Sequence, residues 1–300
     1  MHHKVTPNIT PNITGVNEVI NSLKETYEPV GVLYIIKRFF LKEFKIWTGY
    51  GSLVLLDFIQ IFLPILTYFF LDSLISNKNV GGFSGGYFSF VIVGISFQHF
   101  VYEIFMAIDW NTRREQNWGT VEAVLVTPIN PITYALGNYS CYFCYSWFYV
   151  ILTLGTGMLL LGFRPVLNLT TVLSTIVVSC LLVTSHLGFG LASMGAILVT
   201  KAANPAATVF DWISRLLCGM FYPIAILPIG LRIIAFMLPL TYSLDALRHI
   251  LLNGESLWSI PVLKDVATLL VISVLFIPLG ILVLNMGYRK ALRDGTLGHY

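Results

Sequence analysis

The feature that most limits what this chain can fold into is a succession of apolar windows, each about as long as a bilayer is thick. A hydrocarbon core of about 30 Å takes roughly 20 residues of helix. Windows of that size lie near residues 51–72, 88–109, 139–161, 170–199, 206–226 and 266–287, and they predict six transmembrane helices. Only 11% of the residues are charged and 56% are hydrophobic, whereas an ordinary soluble domain carries about 25% charged residues. The expected fold is therefore an all-α polytopic membrane protein. The fourth window exceeds one crossing and holds Gly188, Gly190 and Gly195, which predicts a helix that tilts, bends or extends past the bilayer.

Charge then reports topology. A formal net charge of +3, dispersed along the chain, argues against a nucleic-acid partner. Residues 1–27, with their duplicated T-P-N-I-T, have no signal-peptide core and read as a flexible cytoplasmic tail, leaving 28–300 as the transmembrane domain. An N-terminus inside puts twelve Lys and Arg residues in the cytoplasm, among them Lys37, Arg38, Arg113, Arg114, Lys201 and Arg289. Five fall outside: Lys78, Arg164, Arg232, Arg248 and Lys264. That bias obeys the positive-inside rule and places both termini in the cytoplasm. Of the four glycosylation sequons, Asn168 alone faces outside in this topology.

Two segments fit neither a span nor a plain loop. In residues 28–48, Val32, Leu33, Ile36, Phe39, Phe40 and Phe44 interleave at helical spacing with Lys37, Arg38, Lys42 and Lys45. An apolar stripe beside a basic one predicts a helix lying in the bilayer interface. Between the fifth and sixth windows, residues 227–254 hold two short apolar helical patterns punctuated by Pro228 and Pro239. Each is too short to cross, so they are expected to re-enter the membrane from outside or cap a cavity.

Ionisable residues inside spans are costly, and Asp57, His99, Glu103, Asp109, His186, Asp211 and Arg215 each need a reason. Asp211 and Arg215 stand one turn apart; mutual neutralisation is the simpler account, and contact with a substrate headgroup the sharper one. His99 and Glu103 share a helix face in the same way. Two such ligands without further His or Cys make a poor metal site, so no metal is expected and helix-packing contact is preferred. Cys141, Cys144, Cys180 and Cys218 all lie in apolar runs, as packing residues do. The aromatic cluster from Tyr134 to Tyr149 reads as an interface belt rather than a stacking wall for cargo.

The hydrophilic stretch 113–131, R-R-E-Q-N-W-G-T-V-E-A-V-L-V-T-P-I-N-P, combines a glycine, a capping Thr120 and an acidic Glu122 in the first turn of a short helix that must stop before Pro128. A simple solvated connection explains its charge but not this order. The segment containing Glu115, Gly119, Thr120, Glu122, Thr127 and Pro128 resembles the coupling loop of ABC-exporter permeases of the type-2 class. Residues 219–254, with G-M-F-Y-P, L-P-L-T-Y and D-A-L-R, resemble the same family after its fifth span.

The resemblance implies a half-transporter that dimerises, most simply as a homodimer, and couples to two copies of a cytoplasmic ATPase subunit. It implies that loop 111–130 carries the coupling helix, with Arg113, Arg114, Glu115, Gly119, Thr120 and Glu122 toward the ATPase and Lys201–Pro205 as a smaller second contact. It also implies an external gate that includes Gly219, Phe221, Tyr222, Pro223, Pro228, Pro239, Tyr242, Asp245 and Arg248. The chain holds no G-x-x-x-x-G-K-[ST], so ATP and Mg are expected on the partner and no cofactor on this chain. Export of an amphipathic or hydrophobic cargo across the cell membrane is the expected role. An ATP-independent secondary transporter or channel is the alternative, although no inverted repeat is visible. A membrane-embedded enzyme ranks third, lacking H-E-x-x-H and G-x-S-x-G.

Overall fold

Apolar runs punctuated by glycine and proline fold here into helices packed around one central helix. The computed structural model describes residues 31–49, 51–75, 80–83, 85–120, 129–200 and 205–293. Among these lie nine α-helices: α1 (Val32–Gly49), α2 (Gly51–Leu74), α3 (Gly86–Asn117), α4 (Pro131–Leu160), α5 (Leu169–Thr200), α6 (Pro205–Leu217), α7 (Ile229–Met237), α8 (Pro239–Asn253) and α9 (Ile260–Arg293). The tail 1–27, the expected coupling helix with Glu122, and Lys201 lie outside the described residues, as does the side chain of Asp57.

Four helices are long and apolar enough to cross a bilayer: α3, α4, α5 and α9. The pair α7 and α8, bent by 85°, makes a fifth if taken as one broken span. The six crossings predicted from the windows are thus not all present as single long helices. The window at 206–226 is corrected to a helix of 13 residues, about 20 Å long at 1.5 Å per residue. Its cause is local. Gly219 adopts φ +77° just past the helix end, a conformation that glycine tolerates best, and Pro223 follows to open the 3-10 turn Ile224–Ile226. In α2, the described apolar stretch is Ile59–Leu74.

The long helix α3 is the pillar. Its most apolar window is 89% buried, against 17% for that of α9, so α3 is enclosed by protein while α9 turns most of its surface outward. Helix α3 packs against α2, α4, α5, α6 and α8. Of the glycines in the fourth window, Gly188 and Gly195 set the distance between α5 and α9, while Gly190 faces Ile104 and Ile108 of α3. A Cβ on Gly280 would stand 2.1 Å from the Gly188 carbonyl oxygen, and one on Gly287 2.1 Å from that of Gly195. The two pairs advance together, two turns apart, as parallel helices packed backbone to backbone require.

The helix expected at the bilayer interface is present as α1 and leans on α4. Phe39 meets Tyr134 edge-on at 5.4 Å, and Trp47 meets Tyr145 at 5.6 Å. Val32, Leu33 and Phe44 remain exposed, an apolar flank left for lipid.

Candidate functional site

Helix α3 does not stop at residue 109, where its apolar window ends, but continues to Asn117. The first part of the expected coupling loop is therefore helical, and Arg113, Arg114 and Glu115 ride on its last turns. The stop is a Schellman cap. Gly119 turns at φ +69°, its N–H bonds the Gln116 carbonyl at 2.9 Å, and the Thr120 N–H reaches back to the Glu115 carbonyl at 2.9 Å. Thr120 thus closes α3, and its hydroxyl also donates to the Glu115 carboxylate.

Glu115 is buried and faces α1. Lys42 Nζ donates to its carboxylate at 2.9 Å and lies 3.2 Å from Glu43 Oε1, and Arg114 donates to that same oxygen. Four charges of alternating sign so join α1 to the end of α3. Glu43, in the middle of a basic stripe, is only 3% exposed. On the outer side Trp110, Arg113, Arg114, Asn117 and Trp118 line an open groove of about 310 Å³, with the Arg114 guanidinium 5.4 Å from the Trp118 ring.

A second polar cluster sits near the middle of α3. His99 lies 3.2 Å from Glu103 and stacks on Tyr149 of α4 at 3.7 Å. On α6, Asp211 and Arg215 pair at 2.9 Å. The two pairs are brought together: Gln98 Nε2 donates to Asp211 at 3.1 Å, and Arg215 lies 5.1 Å from the Tyr102 ring. Asp109 accepts from Ser193 of α5 at 2.6 Å, and His186 is fully buried with Nδ1 2.8 Å from the Leu182 carbonyl oxygen.

At the outer end, α7 and α8 form the bent pair that the two short patterns predict. Pro228 precedes α7 and Pro239 opens α8. Tyr242 donates to the Phe236 carbonyl at 2.8 Å, Thr241 to that of Ala235 at 2.6 Å, and Tyr222 to that of Leu216, so side chains pin each corner. Phe221 stacks on Tyr68 of α2 at 5.4 Å. Arg248 does not join Asp245, whose side chain is 49% exposed. It is buried, donates at 3.1 Å to the carbonyls of Phe90 and Met220, and covers the Phe90 ring at 3.5 Å.

Glu43, Gln98 and Tyr102 escape the sequence reading, while Lys42 and Tyr149, read as a headgroup cation and an interface aromatic, take partners in the two clusters. Glu43 carried one signal, an anion amid cations on an amphipathic helix; Gln98 carried none beyond its place in an apolar run. Among the described residues no three His, Cys, Asp or Glu side chains gather as a metal ion would require. A sequence model of the family described as ABC-2 type transporter matches residues 32–252. None of the curated proteins matches the chain.

Proposed function

The chain belongs to the ABC-2 type transporter family, and from that premise we propose that it is the membrane-spanning subunit of an ATP-driven exporter. Its domain is a permease, not an ATPase. ATP and Mg bind a separate cytoplasmic subunit present in two copies, and a second copy of this permease completes the path. Both termini face the cytoplasm, α2 and the segment from α6 through the turn Ile224–Ile226 contribute the remaining crossings, and α7 and α8 gate the exit.

The observation that supports this most is the extent of the family match, which runs unbroken from the start of α1 to the end of α8. The geometry adds a route for coupling. Loop 118–130 emerges from a helix end tied to α1 by charge, so force on the loop passes to both helices together. Arg113, Arg114 and Trp118 offer a basic and aromatic face beside that loop, suited to a docking partner.

Affinity purification of the tagged chain tests the reading. An ATP-hydrolysing subunit is expected to co-purify, and Glu122→Lys is expected to lower ATP-dependent transport about tenfold or more while the permease stays folded. No co-purifying ATPase, together with undiminished transport by Glu122→Lys, overturns it. Transport that survives nucleotide depletion would instead favour a secondary transporter or channel.

A further inference from the structure

The cluster at the middle of α3 presents one cation outward. The Arg215 side chain is 37% exposed, while its partner Asp211 is 11% exposed. The same outward flank of α6 carries Trp212 and Leu216, both more than half exposed. Depth is fixed by α3. Gln98 lies 12 residues from the outer end of α3 and Glu103 14 residues from its inner end, or about 18 and 21 Å along the axis. Arg215 therefore sits near the bilayer centre, where a guanidinium facing acyl chains is strongly unfavourable and where ionisable groups line polar paths instead.

The geometry keeps that cation aimed yet available. Asp211 stands 2.9 Å from Nε, and Gln98 donates to the other carboxylate oxygen of Asp211 at 3.1 Å. The carboxylate therefore stays hydrogen-bonded when the guanidinium turns outward. Tyr102 supports the guanidinium from α3. No described residue hydrogen-bonds the terminal amino groups, which form the planar fork that matches a phosphate or carboxylate. Trp212, about one turn before Arg215, and Leu216, the next residue on the same flank, place apolar surface beside it.

We propose that Arg215, held by Asp211 and Gln98, binds the anionic head of an amphipathic cargo at mid-membrane while Trp212 and Leu216 contact its tail. This rests on reading the chain as a transport path, but not on its coupling to an ATPase. Equilibrium binding of radiolabelled dodecyl phosphate to the full chain in phosphatidylcholine nanodiscs needs neither nucleotide nor transport. It can therefore fail or succeed independently of the ATP-driven reading.

Saturable binding is expected, with dodecyl maltoside and inorganic phosphate each competing about tenfold or more weakly than unlabelled dodecyl phosphate. Arg215→Gln is expected to weaken binding about tenfold or more, and Arg215→Lys, which keeps charge but loses the fork, by less. The double variant Asp211→Arg/Arg215→Asp keeps an ion pair on the helix but moves the cation one turn toward the cytoplasm. It is expected to fold and still bind poorly. Wild-type affinity in Arg215→Gln or in the swapped pair, or competition by inorganic phosphate equal to that of dodecyl phosphate, overturns the proposal.

Discussion

Two ionic networks hang on the one helix α3, and they are built on opposite plans. At the C-terminal end of α3 the charges come from partners 71 and 73 residues apart and tie two helices directly, Lys42 and Glu43 from α1 to Glu115 and Arg114 from α3. In the middle each carboxylate meets its partner one turn away on its own helix, Glu103 the His99 ring and Asp211 the Arg215 guanidinium. The contacts that cross between helices there are an uncharged amide and aromatic rings. The difference follows from the solvent. Near the headgroups an unpaired charge can still reach water, so ion pairs can join helices; at mid-membrane a helix with an unpaired charge is costly before it finds its neighbour.

The largest effect should come from reversing a charge in the network at the end of α3. Glu43→Lys would set three cations around a buried position, and breaking a buried pair typically costs about 3–5 kcal/mol. The unfolding midpoint in mixed detergent should fall sharply, and α1 should become open to proteolysis. A variant as stable as the parent would mean that α1 is held by Phe39 and Trp47 alone.

Arg215→Gln tests the other plan. It leaves a carboxylate that keeps its Gln98 bond, so the expected loss is about 1–3 kcal/mol. Neutralising both members, Asp211→Asn with Arg215→Gln, should restore most of it, since a self-contained pair can be removed with little net change. The matched double variant Glu43→Gln with Arg114→Gln should not recover in this way, because Lys42 and Glu115 still depend on the network. Equal recovery in both would erase the distinction.

The helices were largely legible, because a run of twenty apolar residues has few ways to satisfy its backbone other than as a helix in lipid. The interfacial α1, the bent pair α7 and α8, and the glycine turn at Gly119 could be read from local pattern for the same reason. What could not be read required knowing which helices touch. The spacing of seven in Gly188 and Gly195 is repeated in Gly280 and Gly287, yet only packing shows that the two rows meet. His99–Glu103 and Asp211–Arg215 read as separate pairs because their link, Gln98, lies 113 positions from Asp211. Arg248 counted as an external charge, whereas its guanidinium fills a socket of carbonyl oxygens. Glu115, expected toward a partner, is turned inward by Lys42, a residue no local motif connects to it.

A smaller effect should separate the two functions of Thr120. Its amide belongs to the cap and survives any side-chain change, while its hydroxyl reaches the Glu115 carboxylate. Thr120→Val should therefore cost about 0.5–1.5 kcal/mol, the usual worth of one hydrogen bond. Thr120→Ser, which keeps the hydroxyl, should cost less than Thr120→Val in the same measurement. If valine is harmless, the loop is tied to α3 by the cap alone.

The smallest expected effect is also the most direct test of the solvent argument. Raising ionic strength from about 0.1 M to about 1 M shortens the screening length from about 10 Å to about 3 Å. The member of the network at the end of α3 open to this screening is Lys42, whose side chain is 34% exposed, and exposed pairs are worth about 0.2–1 kcal/mol. Salt should therefore lower the unfolding midpoint of the parent by a small amount that disappears in Lys42→Met, despite the other surface charges common to both. The Asp211→Asn/Arg215→Gln variant should keep most of the salt response of the parent, because bulk salt is largely excluded from the apolar surroundings of α6 at mid-membrane. Loss of the response in that variant, and its persistence in Lys42→Met, would exchange the roles of the two networks and place the water-accessible charges at mid-membrane.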